Sequence, residues 1–106
     1  MTYVIVRIEE VTDRALMREY REKVRGMVKR FGGRYVAADD QVEVLEGEWK
    51  SARTTIAQFP SHEMARKFYF SAEYQEVLPL RLRGTKGSLV MVRGLEETGI
   101  HELVQE

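Results

Sequence analysis

Tyr69, Ser71, Tyr74 and Arg81 bring two phenols, an alcohol and a guanidinium into one short stretch of the chain. Such a set can hold a small carboxylate or an oxygenated ring. The guanidinium presents a rigid fork of donors, and the hydroxyls both donate and accept. The same residues also have a plain structural use. Ser71 can cap a helix, the tyrosines can pack, and Arg81 can pair with a carboxylate or a carbonyl. Phe68, Tyr69, Phe70 and Tyr74 make the stretch dense in aromatics, so it is either the heart of a small core or the wall of a pocket.

Further candidates lie elsewhere. Glu46-Gly47-Glu48-Trp49 sets a carboxylate beside the only tryptophan. Glu46 would serve as a general base if it had a partner group, and is otherwise a solvated or paired carboxylate at a strand end. A loop tryptophan such as Trp49 lids a pocket or anchors an interface, or it seals its own core. Tyr20 and Phe59 complete a possible aromatic wall with Trp49, Tyr69 and Tyr74. Arg7, Gln58 and Arg93 sit where they could point into a barrel. An arginine there needs an anion; the alternative is a surface ion pair at a strand end.

Other chemistries find no footing. His62 and His101 are the only histidines, neither stands in a metal-binding spacing, and there is no cysteine, so neither a built-in metal nor a resident cofactor is expected. Gly32-Gly33 reads as a helix stop and not as a phosphate cradle. No serine lies in a nucleophile-elbow sequence.

The elements that must position these groups follow from periodicity. Tyr3–Glu9 alternates as a strand, with Val4, Val6 and Ile8 on one face and Tyr3, Ile5, Arg7 and Glu9 on the other. Thr12-Asp13 offers an N-cap for a single helix from Arg14 to about Phe31, its stripe being Leu16, Tyr20, Val24, Met27, Val28 and Phe31. Arg34–Ala38 is a second strand. Asp39–Gln41 is a turn or bulge, and Gln41–Glu46 continues extended before a loop at Gly47–Ser51. Arg53–Phe59 is a third strand, stopped by Pro60. Ser61 caps the next helix, which breaks and restarts at Ser71 and should kink or end near Pro79. Gly84–Gly87 is a turn, and Ser88–Arg93 is the fourth strand. Residues 95–106 form a C-terminal tail with a weak apolar pattern at Ile100, Leu103 and Val104.

The chain has 106 residues, the length of one domain. Its 17 basic and 17 acidic residues cancel, so no global charge draws it to nucleic acid or to an anionic membrane. The N-terminus lacks the pattern of a signal peptide, and no apolar run reaches membrane-spanning length, so a cytoplasmic protein is expected. Two strand–helix–strand units predict an α+β, ferredoxin-like βαββαβ domain with one antiparallel sheet. Its helices cover one face only. The other face carries apolar residues in either register, from Ile5, Ile56 or Ala57, and Val90 or Met91. A second copy related by twofold symmetry is the simplest cover.

The run Tyr3–Val6, Glu19-Tyr20, Gly32–Tyr35, Val42–Trp49, Phe59–Ser61, Ala65, Phe68–Gln75 and Leu80-Arg81 resembles, in order and spacing, the bacterial family called domain of unknown function 1330. The resemblance covers roughly residues 2–94 and implies a ferredoxin-like fold that pairs into a dimeric α/β barrel. Related barrels include heme-handling and quinone-forming monooxygenases and lactone isomerases. The family often places glutamate directly before Phe-Pro, where this chain has Gln58. Three readings follow. One is a small-molecule-binding homodimer with a pocket between sheet and helices. One is a cofactor-free oxygenase or isomerase. One is a structural or stress-related dimer module. The candidate ligand-binding residues are Arg7, Tyr20, Glu46, Trp49, Gln58, Tyr69, Ser71, Tyr74 and Arg81.

Overall fold

The computed structural model describes residues 1–100. His101, Leu103 and Val104 lie outside the described residues. The elements run β1 (Thr2–Val11), α1 (Arg14–Val24), α2 (Met27–Arg30), β2 (Arg34–Asp39), β3 (Arg53–Phe59), α3 (His62–Tyr69), α4 (Ala72–Gly84), β4 (Thr85–Arg93) and α5 (Leu95–Thr98). The four strands form one antiparallel sheet in the order β2-β3-β1-β4. This is the ferredoxin-like arrangement of two interleaved βαβ units.

Register sorts the side chains. Val4 stands opposite Ala57 and Met91, while Ile5 stands opposite Ile56 and Val90. Alternation then puts Thr2, Val4, Val6 and Ile8 under the helices with Thr55, Ala57 and Phe59. Tyr3, Ile5 and Arg7 share the opposite, helix-free face with Thr54, Ile56 and Gln58. The core is built from Val4, Ala57 and Phe59 of the sheet against Val24, Met27 and Val28 of α1–α2, Ala65 and Phe68 of α3, and Tyr74, Val77 and Leu78 of α4.

The helical region after β1 departs from expectation. It is not one helix to Phe31: α1 ends at Val24, Arg25 leaves helical geometry, and Gly26 takes φ +84° before α2 begins. A side chain is strained at that angle and glycine is not. The turn re-aims the chain so that Val24, Met27 and Val28 all reach the core. Met17, not Leu16, is the buried residue in the first turns of α1.

Three further boundaries move. Gln41–Glu46 does not continue as strand; β2 runs through Asp39, and residues 40–52 form a loop. Helix α4 does not end at Pro79 but runs five residues past it to Gly84. Pro79 is exposed, so the carbonyl it leaves unbonded lies on the solvent side. Gly84–Gly87 is not a turn, because the chain passes from α4 directly into β4 at Thr85. The Gly84 carbonyl accepts the backbone N–H groups of Thr12 and Asp13 at 2.8 and 3.1 Å, which ties the end of α4 to the start of α1. A Cβ at Gly84 would stand 3.1 Å from that of Leu16, so the two helices meet there at close range.

The segment after β4 is clasped to the rest. The Glu97 carboxylate accepts from the Thr2 hydroxyl at 2.5 Å and from the His62 backbone N–H at 2.9 Å. It thereby joins α5 to β1 and to the first turn of α3. The Thr2 and His62 hydrogen bonds pull the Glu97 carboxyl down to about 2. A carboxyl depressed on folding stabilises the fold above its unfolded value and loses that contribution as pH falls toward the folded value. Glu97→Gln should therefore flatten the acid limb of the stability curve, with the difference from wild type shrinking between pH 4.5 and 2. Urea unfolding at several pH values measures this, and a difference that stays constant through that window contradicts it.

Candidate functional site

Two loci separate on the two faces of the sheet. On the helix side, a cleft of about 510 Å³ opens between α1 and the strands, within the roughly 300–1,000 Å³ usual for small-molecule sites. Val6, Ile8 and Val11 of β1 and Met17, Tyr20, Arg21, Val24 and Arg25 on the α1 side wall it. Tyr35, Ala38, Asp40, Ala52, Arg53 and Thr55 close the side of β2 and β3, and Arg81 of α4 completes the lining.

Of the residues singled out from sequence, Tyr20 and Arg81 line this cleft. Tyr74 stands directly behind Tyr20. Its side chain is 1% exposed, and its hydroxyl lies 2.8 Å from that of Tyr20, the rings meeting edge to face at 6.2 Å. Burial pushes the Tyr20 phenol well above its ordinary value, the Tyr74 oxygen pushes it further, and Arg81 pulls part of the way back. Tyr20 is thus a neutral hydroxyl across the physiological range.

Arg81 is 5% exposed. Among the described residues it enters no ion pair, and its Nε has no hydrogen-bond partner. Burial works against its charge, but the Tyr74 and Tyr20 oxygens outweigh that and hold its pKa above the usual arginine value. Its backbone is held too: the Thr85 hydroxyl donates to the Arg81 carbonyl at 2.7 Å. A permanent cation with neutral partners therefore sits beside the cleft.

The aromatic stretch itself is mainly core. Phe68 packs on Phe59 at 5.3 Å and on Tyr74 at 4.7 Å, and Tyr69 packs on Tyr74 at 5.4 Å. Phe59 is fully buried and Phe70 is exposed. Ser71 restarts the helix: its hydroxyl donates to the Phe68 carbonyl at 2.8 Å and accepts the Tyr74 N–H at 3.1 Å. Ser71, Tyr69 and Phe59 are not in the cleft lining.

Arg7, Trp49 and Gln58 belong to the other face. Arg7 donates to the Lys50 carbonyl at 2.8 Å and to Ser88 Oγ at 3.0 Å, with its guanidinium 5.8 Å from the Trp49 ring centre. Trp49 Nε1 donates to Thr54 Oγ1 at 3.0 Å. The 40–52 loop is thereby folded onto the helix-free sheet face. Gln58 stands on that face opposite Tyr3 and Arg34. Glu46 is exposed in the loop, and Arg93 ends β4 opposite Thr2. His62 is partly buried, with Nδ1 enclosed, and its backbone N–H donates to Glu97 of α5.

Reading along the sequence did not single out Arg21, Arg25, Asp40 or Arg53 as cleft residues. Arg21 and Arg25 flank Tyr20 and Val24 at a spacing of four, a signal present in the chain. Arg53 pairs bidentately with Asp40, at 2.5 and 2.9 Å, and that pairing holds the Asp40 carboxyl below its usual range. It joins a loop to a strand and leaves no sequence pattern. No cluster of three or more histidine or acidic side chains among the described residues is placed to hold a metal, and no described helix is long and apolar enough to cross a membrane.

The Tyr20–Tyr74 contact makes a direct prediction. Tyr74→Phe keeps the packing and strips Tyr20 of its buried partner, and should cost about 0.5–1.5 kcal/mol. The urea midpoint should fall with an unchanged slope. A midpoint equal to wild type would mean the hydroxyl pair carries no stability.

Comparison with known proteins places this geometry. A protein of unknown function from Rhodopseudomonas palustris superposes with a TM-score of 0.71 at 16% identity, covering 89% of this chain and 82% of that one. An ethyl tert-butyl ether d (ethd) family protein from Bacillus halodurans gives a TM-score of 0.61 at 16% identity, over 89% and 98% of the two chains. SnoaB, a cofactor-independent oxygenase from Streptomyces nogalater, gives 0.56 at 12% identity, over 88% and 90%. At such identities the likeness is one of fold. The comparison with curated proteins gives no match. The sequence model of the Domain of unknown function (DUF1330) matches residues 1–95. The chain belongs to that family.

Proposed function

We propose that this protein is a homodimeric small-molecule-binding domain whose ligand enters the cleft between α1 and the sheet. One observation carries the binding reading: Arg81, a buried cation without an anionic partner among the described residues, lines an otherwise largely apolar cavity of about 510 Å³. Convergent polar groups in an apolar concavity are the usual form of a ligand site. Binding is favoured over acid–base catalysis. A general base works best with a pKa near the working pH. Among the lining groups, Tyr20 is held far above that range and Asp40 below it.

The helix-free face supports the dimer. Val90 is 50% exposed and Val92 46% exposed, on the same face as Ile5 and Ile56. Exposed apolar side chains grouped on a sheet face mark an interaction surface. Another copy offers the same face about a twofold axis.

Two measurements test the pair of claims. Apolar fragments screened by amide-shift NMR should perturb Val6–Val11, Tyr20–Arg25 and Ala38, and Ala38→Trp, which plugs the cleft mouth from the edge strand, should abolish those shifts. Perturbations confined to other surfaces count against the cleft. Sedimentation should show a dimer at micromolar concentration and a monomer for Val90→Glu. A wild-type monomer there removes the dimer.

A further inference from the structure

Charge is distributed unevenly in this molecule. The whole chain is neutral, yet the cleft is lined by Arg21, Arg25, Arg53 and Arg81 with a single carboxylate, Asp40. Asp40 is already engaged by Arg53 through two hydrogen bonds. The cavity lining therefore carries a net positive charge, and among the described residues no anion neutralises Arg81. A buried charge left without a partner is costly, and an anion brought to it recovers part of that cost. The remaining walls run the other way. Val6, Ile8, Val11, Met17 and Val24 offer hydrocarbon, and a ligand charged over its whole surface would be desolvated against it without return.

We propose that the ligand is an amphipathic organic acid, a single carboxylate on an aromatic or aliphatic body, with its acid group at Arg81 and Tyr20. This rests on the cleft-binding reading above and adds the chemical class. The tyrosine pair suits the role. Tyr20 can accept a hydrogen bond from the Tyr74 hydroxyl behind it and donate its own proton to a carboxylate. A hydroxyl that stays protonated is a constant donor. The body of the acid then lies between Met17 and Val24 on one side and Val6 and Ile8 on the other, where area removed from water contributes to affinity. The cationic residues Arg21 and Arg25, exposed beside the apolar wall, draw an anion toward the opening.

Matched pairs of probes test this on the full chain. 2-Naphthoate against 2-naphthamide, and octanoate against octanamide, differ chiefly in charge. Titration calorimetry at neutral pH should show each acid binding about tenfold or more tightly than its amide, the scale of a charge-assisted contact. Arg81→Met should erase that preference, bringing acid and amide affinities together. Tyr20→Phe should narrow it while the fold, read by circular dichroism, is unchanged. Should Arg81→Met fail to fold, the wild-type ratio and Tyr20→Phe decide the matter. Amides that bind in the cleft as tightly as the acids overturn the acid assignment and leave cleft binding standing. If neither member of either pair binds, cleft binding itself falls, and the acid assignment with it.

Discussion

The contact on which the rest of the molecule depends is the hydroxyl pair of Tyr74 and Tyr20. Tyr74 lies in the middle of the core, where its ring completes the Phe59–Phe68 aromatic group. Its oxygen cannot reach water there, and a buried hydroxyl without a partner costs on the order of 1–3 kcal/mol. Tyr20 supplies the partner from α1. The bond thus fixes α1 against α4 at the depth where the core ends and the cleft begins. Core and cleft are two sides of one contact, Tyr74 belonging to the first and Tyr20 to the second.

Arg81 follows from the same arrangement. It stands seven residues after Tyr74 on α4, two helical turns along the same face, so whatever buries Tyr74 also turns Arg81 inward. The Thr85 hydroxyl on its carbonyl and the Gly84 carbonyl on the start of α1 lock that last turn. The charge is retained in spite of burial, a cost to the fold that the proposed ligand-binding role would account for.

Much of this was legible along the chain, because the relevant signals are local. Alternation in Tyr3–Glu9 and the caps at Asp13, Ser61 and Ser71 act between residues a few positions apart, and each holds in the structure. Tyr74, Val77, Leu78 and Arg81, spaced i, i+3, i+4 and i+7 along α4, lie on one buried face. Readings that hung on a balance of local terms went the other way. Gly26 broke a stripe whose apolar period ran on unbroken, since period reports burial and not backbone continuity. Pro79 did not end α4, since packing at Val77, Leu78 and Arg81 holds the helix across it. Gln41–Glu46 has strand-like residues, but no neighbouring strand extends far enough to pair with it.

The sequence by itself determined the number and order of the strands, the βαββαβ topology, the family and the apolar character of both sheet faces. These rest on short-range periodicity, and the family rests on the order of motifs. Only the tertiary structure decided the site. It put Trp49 and Arg7 on one side of the sheet and Tyr20 and Arg81 on the other. It also brought Asp40 to Arg53 and four arginines to one cavity. The physical reason is register. A one-residue choice in strand pairing sends a side chain to the opposite face, and that choice is made by contacts between residues far apart in the chain.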